Sequence, residues 1–315
     1  MEPFVEAGSG RLRALWRLAI QYWAYWELIQ LFNQLVAAWL LAGSGGQSIS
    51  PALPLASGIA GLMAAVLTVW LAGRLLDRRP FSGFGFHLGG GWWLDLLFGM
   101  VLGASLITAI FLVELALGWV RVTGAFANYG ADAPFAVYML FPAATFVCVG
   151  ISEETIFRGY QLKNAAEGLN YPSLGPRGAI LLAWILSSIF FGVLHADNPN
   201  ATPISTLNII LAGLMLGFGY VLSGELAIPI GLHITWNFFQ GAVYGFPVSG
   251  YGTFGATLLA TEQGGPERWT GGSFGPEGGF LAPAAMLLGI SLIALWTRLR
   301  TGKASLHTPI AERRA

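Results

Sequence analysis

The sequence predicts an all-α polytopic membrane protein, a bundle of about eight transmembrane helices forming one integral membrane domain over 1–315. Three observations carry this expectation. The composition is 55% hydrophobic and 10% charged, with a mean hydropathy of +0.64, too apolar and too poor in charge for a soluble domain. Apolar runs of roughly 20 residues, the length that crosses a bilayer as helix, recur along the chain. The basic residues between those runs fall almost entirely on one side.

The apolar runs lie at about 18–41, 55–76, 94–120, 135–160, 179–202, 204–222, 226–245 and 280–299. The first is too long for a signal-peptide core and lacks a small-residue cleavage site, so it reads as a retained anchor. With the N-terminus inside, the cytoplasmic segments collect Arg11, Arg13, Arg17, Arg74, Arg78, Arg79, Arg158, Lys163, Arg177, Arg298, Arg300, Lys303, Arg313 and Arg314. Only Arg121 and Arg268 fall outside, so fourteen of sixteen cations share one side. That bias implies an even number of spans with both termini cytoplasmic, as short tails 1–17 and 300–315. The short, loop-poor build suggests the inner membrane of a bacterium.

Sixteen basic and sixteen acidic residues cancel, so no global field points to nucleic acid. A single cysteine, Cys148, excludes an intramolecular disulfide or a cysteine metal cluster and reads as packing. Two connections are distinctive. Segment 78–93, rich in Gly and aromatic residues, suits the lipid headgroup region, and its His87 reads as interfacial. Segment 261–279, dense in turn formers, is a lid or, more simply, a loop. No internal repeat is visible, which disfavours inverted-repeat transporters.

The chemistry lies in polar residues inside the apolar runs. Glu153, Glu154 and Arg158 interrupt the fourth span. An ionised side chain at mid-bilayer costs roughly 2.5–3.5 kcal/mol, so three require pairing or a wet cavity. Glu154 and Arg158 are spaced i,i+4 with the acid first, the better order for a helical ion pair. Glu153 then points about 100° away around the helix and is left for another role. His195 ends the fifth span four residues after Phe191, and His233 stands four residues before Asn237 in the seventh, each pair on one helix face. Bringing Glu153 level with His195 requires the fourth helix to run on through Gln161 to about Gly168.

At these residues the chain resembles the CPBP family, the CAAX-protease and bacteriocin-processing (Abi) group of intramembrane proteases that includes the Rce1-type prenyl-protein endopeptidases. The matching motifs are E-E-x-x-x-R at Glu153, Glu154 and Arg158, F-x-x-x-H at Phe191 and His195, and H-x-x-x-N at His233 and Asn237. Together they define a catalytic core over about 135–245. The resemblance implies that Glu153 and His195 activate a water, that His233 and Asn237 stabilise the oxyanion, and that Glu154 and Arg158 hold Glu153 in place. It implies no cofactor, and membrane lipid plus a peptide or membrane-protein substrate, lipidated or not, as partners.

Two histidines with one or two glutamates are also a zinc ligand set. That alternative is weaker, because no H-E-x-x-H spacing is present and Asn237 is a poor zinc ligand. Intramembrane Glu and His equally suit a proton-coupled transporter, and the same cavity without turnover suits a membrane scaffold. Glu27 and Glu114 are expected to make interhelical hydrogen bonds, and Asp197 and Asn198 to cap a turn.

Overall fold

The computed structural model describes residues 4–5, 10–44, 52–128, 133–252 and 254–312. Arg313 and Arg314 lie outside the described residues. Among the described residues ten α-helices follow one another: α1 (Ala14–Ser44), α2 (Ala52–Ala72), α3 (Gly90–Ala116), α4 (Phe135–Glu154), α5 (Lys163–Leu169), α6 (Gly175–Leu194), α7 (Pro203–Ser223), α8 (Ala227–Phe238), the single turn α9 (Glu267–Thr270) and α10 (Leu281–Thr301). Among the described residues, six stretches are long and apolar enough to cross a membrane: Ala52–Asp77, Gly90–Ala116, Phe135–Leu169, Gly175–Leu194, Pro203–Ser223 and Leu281–Thr301. The protein is a multi-pass helical membrane protein, as its hydropathy predicts.

The first and seventh predicted spans are different. α1 has the length, but Gln21, Glu27, Gln30, Asn33 and Gln34 dilute its hydropathy. α8 has 12 residues, about 18 Å of helix, before a π-helical turn at Phe239–Val243. Protein surrounds it: every residue from Ala227 to Asn237 except Ile234 is buried. Its apolar sequence meets neighbouring helices, not lipid, which hydropathy cannot distinguish.

Glycine sets how closely α8 is held. A Cβ on Gly99 or Gly103 of α3 would lie 2.4 Å from the carbonyl oxygen of Ile228 or Leu232, and one on Gly231 would lie 2.3 Å from that of Leu96. Gly150 of α4 performs the same service against Ile234. Small residues let membrane helices approach backbone to backbone, and here they clamp α8 between α3 and α4.

Helix four is unbroken over Phe135–Leu169, α4 continuing through a π-helical stretch, Thr155–Leu162, into α5, which meets the length required above. Arg158 therefore sits buried inside the bundle and not in a connecting segment. α6 stops at Leu194, earlier than its apolar run, because 195–202 forms tight turns and Thr202 begins α7 with a capping box to Ser205 and Pro203 in the first turn.

Val120, assigned above to the third span, instead starts a strand. β1 (Val120–Asn128) pairs antiparallel with β2 (Ala256–Gln263), Val120 opposite Gln263 and Asn128 opposite Ala256, with a register shift between Val122 and Gly124. This ribbon leads through 264–280 to α10. At the opposite end, Arg17 bonds Asp77 and Asn164 while Arg79 bonds Glu167, tying α1 to the ends of α2 and α5. Segment 78–93 is only partly interfacial: Phe84 is fully buried against Tyr160, whereas His87 is exposed and bonds Glu225 through Nδ1 at 2.7 Å.

Candidate active site

A cavity of about 390 Å³ opens inside the bundle, within the range of ligand-binding cavities. Glu153, His195, His233 and Asn237 all line it. Most of the remaining wall is apolar or aromatic and comes from α1, α4, α7 and α8, including Tyr25, Phe146, Met215 and Trp236.

Glu154 is the buried centre of the charge arrangement. Its Oε1 accepts Arg158 Nη1 at 2.9 Å and His233 Nδ1 at 2.8 Å, with neither Glu154 nor Arg158 more than 1% exposed. Arg158 Nη2 also donates to the Gly213 carbonyl on α7 at 3.2 Å. Glu153, one residue earlier, turns to the cavity with 26% of its side chain exposed, its Oε2 at 3.8 Å from His233 Nε2. The sequence reading has Glu154 and Arg158 supporting Glu153. The bonds run otherwise: they hold His233, because α8 and not Glu153 occupies the face of α4 to which Glu154 points.

The hydrogen bonds also set the imidazole tautomers. A carboxylate and a carbonyl only accept, so His233 donates through Nδ1 to Glu154, and His195 donates through Nδ1 to the Phe191 carbonyl at 2.7 Å. Both Nε2 atoms are left for the cavity. A neutral Nε2 can accept a proton from water, and a protonated one can donate to an oxyanion. Phe191 separates these groups. The Arg158 guanidinium lies 4.4 Å from its ring centre, and the His195 and His233 rings lie at 4.6 and 6.3 Å. Asn237, one turn after His233, is buried on the same wall.

No motif marks Glu277, which belongs to segment 261–279 and lies in the cavity wall, 3% exposed. Its Oε1 accepts both the backbone N–H and the hydroxyl of Ser249, the latter at 2.7 Å. Burial pushes its carboxyl above the ordinary carboxylate range, against the Ser249 donors, His195 and Trp236, which favour the charged form. A glutamate among glycines reads as an exposed turn, and only the folded loop reveals it as interior. Asn198 does more than cap: its Nδ2 donates to the Ser249 carbonyl at 3.0 Å, and it too lines the cavity, while Asp197 is exposed.

Other polar residues lie apart. Glu114 accepts Gln263 of β2 at 2.8 Å, so its partner is a strand and not a helix as expected. Glu27 is on the exposed face of α1. Cys148 is buried where α4 packs on Gly58 of α2. Among the described residues, no group of three His, Cys, Asp or Glu side chains has an arrangement that could hold a metal ion.

Fold and site together define a multi-pass helical membrane protein with a mainly apolar cavity inside its bundle into which a few polar side chains converge. Residues 135–239 match the family model described as type II CAAX prenyl endopeptidase Rce1-like. The match runs from the start of α4 to just past Asn237 and supports an intramembrane endopeptidase in general. Comparisons with curated proteins and with solved structures returned no match.

Proposed function

We propose that this protein is an intramembrane endopeptidase that hydrolyses a peptide bond with a water activated by Glu153 and His195. The observation that carries the reading is the convergence of Glu153, His195, His233 and Asn237, drawn from three helices, on one cavity within the Rce1-like region. Glu153 takes the proton of the attacking water. His195, its Nδ1–H held by the Phe191 carbonyl, orients that water through Nε2, then receives there the proton that Glu153 took and delivers it to the leaving amine. Protonated His233 and the Asn237 amide donate to the tetrahedral oxyanion. Glu154, bonded to His233 and neutralised by Arg158, keeps that imidazole aimed at the cavity.

The substrate is a peptide or membrane-protein segment, lipidated or not, that reaches the cavity within the lipid layer. Hydrolysis is metal-independent in this reading, since the amide of Asn237 suits an oxyanion better than zinc. The basic bias of the connecting segments supports both termini in the cytoplasm, and the short, loop-poor build a bacterial inner membrane.

The test compares membrane peptidomes from cells with the wild-type protein and with Glu153→Ala, at matched levels of folded protein. Peptides that appear only with the wild type support the proposal, and an equally active E153A overturns it. Cleavage that persists under strong chelation supports metal independence; loss of cleavage restored by zinc reverses it. Solute flux in reconstituted vesicles that depends on Glu153 would instead indicate a carrier.

A further inference from the structure

We propose that Glu277 is a positioning residue for His195, acting through Ser249 and Asn198. For its kinetic readout this rests on the endopeptidase reading above. His195 needs outside support because α6 ends at Leu194, and the imidazole stands on a turn with no helix continuing beyond it. The bonds local to that turn are short-range, from His195 N to Gly192 O, from Ala196 N to Val193 O, from Asn198 N to His195 O and from His195 Nδ1 to the Phe191 carbonyl. Such helix ends fray unless tertiary contacts hold them.

A chain of bonds supplies the contact. Asn198 reaches from the His195 turn to the carbonyl of Ser249. Ser249 has a φ of +48°, unfavourable for a residue with a side chain, and persists there with both its N–H and its hydroxyl on the Glu277 carboxylate. Glu277 is in turn fixed from α7: the Asn208 amide, itself buried, donates to the backbone carbonyls of Glu277 at 2.9 Å and Gly279 at 2.8 Å. Packing adds to this. A Cβ on Gly250 would lie 1.8 Å from the Pro199 carbonyl, so the 248–251 turn lies directly against the turn that carries His195. Glu277 lies outside residues 135–239, so the site extends beyond the family region.

The kinetic arm uses a quenched fluorescent peptide made from a site whose cleavage depends on Glu153. Glu277→Ala and Asn198→Ala are each expected to lower kcat by about 10- to 100-fold, with KM within about twofold, the cost of a slightly misplaced catalytic group. The double variant should be no worse than the poorer single, because both break one chain. Glu277→Gln keeps an acceptor for Ser249 and should recover most of the turnover lost in E277A.

A second arm needs no activity. Carbethoxylation of His195 by diethyl pyrocarbonate is followed by mass spectrometry, with the other three histidines as internal standards. The His195 rate should rise several-fold in E277A and N198A and stay at the wild-type value in E277Q. Unchanged His195 reactivity in the alanine variants, additive kcat losses, or a loss carried by KM overturns the proposal. If E277A does not fold, N198A decides alone. Should no Glu153-dependent cleavage exist, the endopeptidase reading fails while His195 reactivity still judges Glu277.

Discussion

Arg158→Met is the most direct probe of how charge is held inside the bundle. The substitution keeps much of the side-chain length and removes the guanidinium. It deletes the 2.9 Å bond to Glu154, the 3.2 Å bond to the Gly213 carbonyl and the stacking over Phe191. Glu154 is then left fully buried with His233 as its remaining partner. Removing one member of a buried ion pair costs about 3–5 kcal/mol, mainly through the charge left unpaired. Because His233 still donates to Glu154, the expected loss is at the lower end, about 3 kcal/mol. Adding Glu154→Gln removes the stranded charge and keeps an acceptor for His233, so the double variant should be more stable than the sum of the singles by about 1–3 kcal/mol. The assay is reversible unfolding of purified protein in mixed micelles with increasing dodecyl sulfate. An R158M protein within about 1 kcal/mol of wild type, or a strictly additive double variant, would refute this account of the buried pair.

Other consequences are equally accessible. Gly103→Ala places a Cβ about 2.4 Å from the Leu232 carbonyl, so α8 must move with His233 and Asn237. A loss of about 1–3 kcal/mol and a fall in cleavage are expected, whereas Gly124→Ala, whose Cβ would meet only Ala260 at 3.8 Å, should leave both unchanged. Glu277 gives a pH signature in the same unfolding assay. Its folded-state pKa lies above the ordinary 4.5, so the folded protein binds the proton more tightly than the unfolded chain, and its contribution to stability declines as pH rises through the raised value. Stability of Glu277→Gln relative to wild type should therefore improve from pH 5 to pH 8, and a flat difference would contradict the raised carboxyl.

The site was partly legible before folding because its pairs are local. Glu154 with Arg158, Phe191 with His195 and His233 with Asn237 are each one helical turn apart, and helical periodicity places each pair on one face. The need to level Glu153 with His195 also required the long fourth helix, and it is present as Phe135–Leu169. The seventh apolar run folds as a short helix enclosed by protein, and an apolar helix reads alike whether lipid or protein surrounds it.

Composition, hydropathy and spacing thus determined a multi-pass helical protein and pointed to the polar residues of its candidate site, since these follow from short-range periodicity and from the energetic penalty of charge in lipid. Tertiary structure alone decided which group serves which. Glu153 and Glu154 are adjacent and chemically identical; the glycine contacts that press α8 on α4 give Glu154 to His233, 79 residues away, and leave Glu153 to the cavity. Glu277 enters the wall only when the ribbon and its glycine-packed loop fold against α7. Partnerships of this kind depend on packing between distant segments, and no local pattern in the chain encodes them.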